Sequence, residues 1–306
     1  MAFTAKDVQS LREKTGCGMM DCKKALTETD GDMDKAIDFL REKGLAAAEK
    51  KSGRIAAEGL VDAYVENNVG VVIEVNSETD FVAKNVEFQA FVKSCAVNVA
   101  KNNPSDVATL MDSKFEASDL SVADVLRDKI LTIGENMNVR RFTRVEGNVI
   151  TYVHGNGRIA VLIDFETDNA TAAKQEFVDM GKSICMQIAA MSPQYLNAAS
   201  VPAEVIENEK QILIAQIKND EKMKSKPDNI IEKMVVGRIT KFCDQVCLLE
   251  QVFVKDQDFT VGKYVEKIAK DLGAAIAVKS FVRFEKGEGL AKKEDNFAAE
   301  VANMVK

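Results

Sequence analysis

Apolar residues along this 306-residue chain change their spacing after the first 45 positions. Up to that point they recur every three or four residues, which is the period of amphipathic helices. Beyond residue 58, short valine and isoleucine runs such as 71–75 alternate with helical stretches such as the one that begins near Asn85. An alternation of strand and helix patterns predicts a mixed α+β fold.

The N-terminal pattern predicts three short helices. A capping-box pairing of Thr4 with Asp7 starts the first helix, and Met19 starts the second. The third helix is expected to end at Gly44, before a polar linker. About forty residues form a marginal core on their own. We therefore assign residues 1–48 to a small three-helix interaction module and residues 49–57 to a linker.

The following part of the chain is duplicated with an offset of 88 residues and no gap. Glu58-Gly59 recurs as Glu146-Gly147, Tyr64-Val65 as Tyr152-Val153, and Glu78-Thr79-Asp80 as Glu166-Thr167-Asp168. Each copy shows a strand, a turn, a strand and a helix, and each ends on a similar strand, at 139–146 and at 278–285. These correspondences predict two repeated α+β core subdomains.

The second copy is 51 residues longer than the first, and the excess lies in a charged helical stretch. Residues 201–242 carry apolar side chains at helical spacing and are interrupted by Lys226-Pro227-Asp228. This pattern predicts an inserted antiparallel helical hairpin, a coiled coil that projects from the second copy. The alternative is that both helices pack onto the core.

The predicted division of the chain follows from the repeat and its insertion. The first repeat spans 58–147, the second repeat 148–200 and 243–286, the hairpin 201–242, and a C-terminal helical module 287–306. Inside the second repeat we expect an extended segment at 248–253, a helix at 260–272 and a closing strand at 275–285.

Charge and cysteine content exclude several classes of protein. The net charge of −7 argues against a nucleic-acid binder with a broad basic surface. No apolar run reaches the roughly 18 residues of a membrane span, and the N-terminus lacks the apolar region of a signal peptide, so a cytoplasmic protein is expected. The six cysteines form no C-x-x-C pair and are expected to be reduced and mostly buried.

The sequence lacks recognisable catalytic motifs. It contains no glycine-rich phosphate loop, and a single histidine, His154 in a turn, does not support a catalytic triad. Four repeated carboxylates would suit a metal or an acid–base pair, namely Glu78, Asp80, Glu166 and Asp168. Their repetition favours helix capping instead. We expect no catalytic residue, cofactor or metal, and a metal-dependent enzyme is the less favoured alternative.

Phe81 distinguishes the two copies, because Asn169 stands at its position in the second copy. A large apolar residue between a strand and a helix either fills the core or protrudes as an anchor for a partner. A core residue would be expected in both copies. The asymmetry therefore favours the anchor.

Two long stretches, 11–26 and 74–84, resemble the signature motifs of translation elongation factor Ts. The likeness extends along the whole chain, through 133–136, 152–159, 188–190 and 281–285. The resemblance implies a three-helix module similar to a ubiquitin-associated (UBA) domain, two repeated subdomains, an inserted coiled coil and a C-terminal helical module. The division above agrees with that order.

The resemblance also implies a function, which is guanine-nucleotide exchange on elongation factor Tu in its GDP-bound and nucleotide-free forms. Such a factor weakens nucleotide binding by linkage, since it binds the nucleotide-poor partner best. By resemblance, Thr79, Asp80, Phe81 and Val82 enter the partner near its Mg²⁺ site, with Phe81 as a wedge between helices. Further implied contacts with the partner are Arg12, Met19, Met20, Lys23 and His154.

Competing interpretations remain for these further contacts and for the assembly. The methionines would also suit a helix core, the two cations a solvated helix face, and the histidine an exposed turn. The hairpin would contact only Tu, or would join two copies into a homodimer or a 2:2 complex. A structural adaptor that assembles through the hairpin is therefore the alternative function.

Overall fold

The computed structural model describes residues 3–116, 118–220 and 226–291. Three helices open the chain: α1 (Ala5–Thr15), α2 (Met19–Glu28) and α3 (Met33–Lys51). The predicted capping box is confirmed, because the Thr4 hydroxyl accepts from the Asp7 N–H while Asp7 accepts from the Thr4 N–H. The buried side chains of the three helices form one apolar cluster, against which Leu131 also packs.

The predicted end of the third helix at Gly44 is wrong. Gly44 is buried against a later helix, α7 (Val122–Ile133), so closely that an added Cβ would lie 3.8 Å from a Leu131 methyl carbon. Packing of this kind stabilises a helix more than the low propensity of one glycine weakens it. The helix therefore continues to Lys51, whose ammonium donates to the Ile130 carbonyl at 3.1 Å, so residues expected in the linker form its last turn.

Two antiparallel three-stranded sheets form the centre of the molecule. The first contains β1 (Glu58–Glu66), β2 (Val69–Ser77) and β3 (Met137–Glu146) in that order, and the second β4 (Asn148–His154), β5 (Ile159–Glu166) and β6 (Ala277–Glu285). The turn between β1 and β2 uses Asn67 and Asn68 at φ of 49° and 63°. The matching order of strands in the two sheets confirms the duplication at the level of topology.

Helices follow the second strand of each sheet in corresponding positions. After β2 come α4 (Asp80–Ala83), α5 (Val86–Asn102) and α6 (Val107–Asp112), and after β5 come α8 (Asn169–Ala172) and α9 (Gln175–Met191). The later helices are α10 (Ala203–Asn219), α11 (Asp228–Val246) and α12 (Val261–Leu272). Asn85 caps α5 by accepting from two backbone N–H groups, and the helix begins next to Asn85 as the sequence predicted.

The two sheets pack face to face, which buries β2 and β5 on both sides. Val71, Ile73 and Val75 of β2 face α5, whereas Val72 faces the second sheet. The sheets approach closely at Gly70, where an added Cβ would lie 2.7 Å from a Leu162 methyl carbon. The result is a four-layer order of helix, sheet, sheet and helix, which brings the two repeats together along one surface.

The inserted segment forms two helices that contact one another. Leu213 and Ile217 of α10 pack with Ile231 and Val235 of α11 in a cluster separate from those of the sheets. The predicted break at Pro227 is confirmed, since this residue directly precedes α11. The second of these helices, α11, continues past residue 242 to Val246, beyond the predicted end of the hairpin.

Four further expectations concern the rest of the chain. The extended segment at 248–253 is wrong, because these residues form turns and join the fold through isolated bridges such as Val252 with Thr260. All six cysteines are free and buried, as expected. The C-terminal helix predicted up to Lys306 falls on 292–306, outside the described residues. Within the described ranges, no helix has the length and apolar character of a membrane span.

Candidate functional site

Phe81 projects from α4, the one-turn helix between β2 and α5. Its side chain is 78% exposed, whereas the adjacent Val82 is 6% exposed and packs in the core beneath the first sheet. The segment is therefore fixed by one apolar residue and presents the other. A phenylalanine so exposed leaves a large apolar surface in water, which a partner would cover favourably.

Glu135, in the turn after α7, holds the start of this segment. The Thr79 N–H donates to Glu135 Oε2 at 3.0 Å, and the Thr79 hydroxyl donates to Oε1 at 2.6 Å. The next residue of the same turn, Asn136, donates its N–H to Glu78 Oε1 at 2.6 Å. Glu135 and Asn136 thus fix Thr79 and Glu78, which lie two and three residues before Phe81.

The second repeat lacks this arrangement. Ala274 corresponds to Glu135, and Thr167 corresponds to Thr79. The buried Thr167 hydroxyl has no hydrogen-bond partner in the described part of the chain. The exposed aromatic ring and the carboxylate that fixes its segment therefore occur together in the first repeat and are both absent from the second.

The capping expected of the Glu-Thr-Asp turns is found in the second repeat. Asp168 caps α8 by accepting from the Thr171 N–H at 2.9 Å and from its hydroxyl at 2.7 Å. In the first repeat the expectation is wrong for Asp80, which lies inside α4 and accepts from Lys84 Nζ at 2.7 Å. The hydrogen bond from Lys84 lowers the pKa of Asp80 below its ordinary value.

Lys84 connects the carboxylate to the exposed ring. Its Nζ lies 5.6 Å from the centroid of Phe81 while it also binds Asp80. Glu78 has different partners, Asn136 and Arg54, so the two carboxylates of this turn do not form a pair. Across the described ranges, no three His, Cys, Asp or Glu side chains are grouped so as to hold a metal ion.

The other predicted contact residues lie at the surface in two further places. Met20 is 74% exposed and Met19 is 43% exposed, so the helix-core interpretation of these methionines is wrong. Arg12 and Lys23 are exposed on α1 and α2. His154 is exposed at the end of β4, with its Nδ1 2.9 Å from the Tyr152 hydroxyl.

Sequence reasoning found Phe81 but missed Glu135. The sequence pointed to 133–136 only as part of the family resemblance and gave Glu135 no role. A signal was available, because Glu135 and Ala274 differ between the copies just as Phe81 and Asn169 do.

These features define a class of protein, a duplicated α+β scaffold that displays a firmly held aromatic residue as protein-docking modules do. The family model described as "Elongation factor TS" matches residues 78–288. The chain is 50% identical to elongation factor Ts of Clostridium perfringens (strain SM101 / Type A), with 99% of both chains covered. It is 47% identical to elongation factor Ts of Syntrophotalea carbinolica and 49% identical to that of Magnetococcus marinus, over 99–100% of each chain. The chain belongs to the elongation factor Ts family and is thus a translation elongation factor.

Proposed function

We propose that this chain is a guanine-nucleotide exchange factor for elongation factor Tu. It promotes GDP release by disturbing the Mg²⁺ and phosphate site of Tu, so that GTP rebinds during elongation. The observation that carries this proposal is Phe81, an aromatic side chain 78% exposed on a segment fixed by Val82 and Glu135. Family membership supports Tu as the partner.

The mechanism requires no bond chemistry from the chain itself. A GTPase holds its nucleotide through phosphate contacts and a bridging Mg²⁺ ion. A ligand shifts a conformational equilibrium only through its different affinities for the two states. Burial of the Phe81 ring between helices of Tu, worth about 1.5–3 kcal/mol, would favour the state in which the magnesium site is distorted. By linkage, the nucleotide and the factor then weaken each other's binding.

The rigidity of the segment reduces the cost of this binding. Thr79 is already fixed by Glu135, and Val82 is already buried, so little ordering remains to be done in the complex. Asp80 and Lys84 would supply polar contacts beside the ring. We assign no catalytic residue and no cofactor to the chain.

The remaining assignments are also proposals. Residues 1–48 would form a UBA-like module that contacts Tu through Arg12, Met19, Met20 and Lys23, and His154 would reach the third domain of Tu. The hairpin would be a coiled coil that contacts Tu or another copy of the chain. Exposed Val236 and Ile212 on its helices favour a surface that is covered in some complex.

Release of labelled GDP from purified Tu tests the exchange function. We expect a catalytic amount of the chain to accelerate release in the presence of excess unlabelled nucleotide. The spontaneous rate of release from Tu is the reference. An unchanged rate at micromolar chain would contradict the proposal, and self-association through 201–242 without any effect on Tu would favour the adaptor.

Glu135→Ala should lower the maximal rate of GDP release about tenfold. Hydrogen bonds to a charged group contribute about 1.5–3 kcal/mol each. Without the two bonds from Thr79 to Glu135, the segment that carries Phe81 is held less firmly, and we expect part of that energy to be lost from exchange. The measurement is the rate at saturating factor. Thr167→Ala is the matched control, since its hydroxyl has no partner among the described residues and its loss should leave the rate unchanged. Equal rates for Glu135→Ala and wild type would show that the contact does not serve exchange.

A further inference from the structure

An open groove of about 720 Å³ lies beside the exposed ring, between the first repeat and the tip of the second. One side is formed by α4, α5 and β1, and the other by the turn 155–158. Its lining includes Asp62, Lys84, Val86, Lys93, Arg158 and Lys286. The groove is thus built from both repeats and begins at the segment that carries Phe81.

Comparison of the repeats shows that this space is specific to the first. In the second repeat, Ile150 and Gly181 correspond to Asp62 and Lys93. Ile150 closes directly on α9 there, because an added Cβ at Gly181 would lie 2.7 Å from its Cγ1. In the first repeat, a carboxylate and an ammonium occupy these positions and line the groove instead of filling a core.

The groove also presents apolar surface. Val86, the first residue of α5, is 78% exposed, which equals the exposure of Phe81. Its counterpart in the second repeat is Lys174, the residue expected at a solvated helix end. Val86 lies five residues after Phe81 and lines the groove, so it adds exposed apolar surface close in sequence to the ring.

The charges that line the groove are mainly positive, although the whole chain carries −7. Four cations, Lys84, Lys93, Arg158 and Lys286, face two carboxylates, Asp62 and Asp80. Lys93 forms no salt bridge with the described residues, although its charge acts on the Asp62 carboxylate in the same groove. Arg158 is 68% exposed and reaches Glu285, which is outside the lining, only at 3.4 Å. Lys84 pairs with Asp80 and Lys286 pairs with Glu58, so Lys93 and the exposed end of Arg158 are the cations that a segment carrying carboxylates would meet here.

We propose that this groove receives an acidic, partly apolar segment of the protein that Phe81 enters. The apolar side chains of that segment pack on Val86, and its carboxylates pair with Lys93 and Arg158. This inference rests on the proposed function for the identity of the partner. It assigns the affinity and the association rate to the groove, and the disturbance of the nucleotide site to Phe81.

The test is the binding of nucleotide-free Tu by Lys93→Glu, measured from 50 to 300 mM salt. We expect affinity about tenfold weaker at low salt and a shallower salt dependence, since charge reversal in a complementary surface mainly slows association. The maximal rate of GDP release at saturating factor should stay at the wild-type value. Lys182→Glu, an exposed residue of α9 with the same charge change, is the matched control and should bind as wild type.

Two further variants keep the result independent of folding. Lys93→Gln should give an intermediate loss, and Val86→Ser should weaken binding several-fold without changing its salt dependence, because it removes apolar contact only. If Lys93→Glu and Val86→Ser bind Tu with wild-type affinity and salt dependence and still accelerate exchange, the proposal for the groove is wrong and the exchange function stands. Self-association lost in these variants while Tu binding is retained would also overturn it, in favour of a second copy. Binding that depends on Lys93 without any accelerated GDP release would support the groove and contradict the exchange function.

Discussion

Phe81→Ala is expected to lower the maximal rate of GDP release from Tu by about a hundredfold, because a central aromatic anchor contributes about 2–4 kcal/mol and each 1.36 kcal/mol is a factor of ten. The ring is 78% exposed in the free chain, so its removal takes nothing from the core. The fold should therefore remain intact. The measurement is the release of labelled GDP over a range of factor concentrations.

The repeat supplies the matched control for this experiment. Asn169→Ala changes the corresponding residue of the second repeat and should leave the release rate at the wild-type value. Phe81→Leu retains part of the apolar volume and should fall between wild type and Phe81→Ala. If Phe81→Ala accelerated release as well as wild type did, the ring would not be the wedge.

A second measurement separates exchange from simple attachment. The affinity of wild type for nucleotide-free Tu should exceed its affinity for Tu·GDP by a large factor, which is the coupling between factor and nucleotide. Phe81→Ala should bring this ratio close to one, while contacts elsewhere preserve some binding to both forms. An unchanged ratio would place the coupling at another contact.

The order of elements was predictable because the chain repeats itself. Two copies of the same pattern provided two independent readings of each strand and helix, and the turn residues Asn67 and Asn68 marked where the strands reverse. The packing of the two sheets against each other was not predicted. It depends on Gly70 and on the apolar residues of β2 that face away from α5, which a strand pattern alone does not assign to a partner layer.

In the candidate site, too, the sequence predicted a residue that the repeat marks and missed a contact between residues far apart in the chain. Phe81 was identified from a difference between copies, and its exposure in the structure agrees with that reasoning. Glu135 contacts Thr79 across 56 residues of sequence, and a single sequence has no pattern that pairs two such positions. The end of α3 was misplaced for a similar reason, since the packing of Gly44 on α7 is also a distant contact.

Glu74 is a second feature that the sequence did not reveal, a buried carboxylate in the middle of β2. Its side chain is 0% exposed. It accepts from Arg141 Nε at 2.6 Å, from Arg140 at 3.0 Å, from the Asn76 amide at 3.0 Å and from the Gly287 N–H at 2.8 Å. Arg141 also lies over the Phe284 ring, 4.2 Å from its centroid. The network joins the first sheet to the end of β6 and the residues after it.

Glu74→Gln is expected to destabilise the chain by about 3 kcal/mol at neutral pH, because loss of one partner leaves buried charge without compensation. Burial alone would raise the pKa of Glu74, but the hydrogen bonds from Gly287, Asn76 and Arg141, together with the charge of Arg141, hold it below its ordinary value of 4.5. The measurement is urea unfolding of both proteins. Glu166→Gln, an exposed glutamate of β5, is the control and should change stability little.

The pH dependence distinguishes the lost charge from lost packing. Since the folded-state pKa of Glu74 is lowered, its contribution is fully present above the unfolded value near 4.5 and is lost as the pH falls through the folded value. The difference in unfolding free energy between wild type and Glu74→Gln should therefore narrow as the pH falls below about 4.5. A difference that stays constant from neutral pH into acid would show that the shape of the side chain, and not its charge, holds the two sheets together.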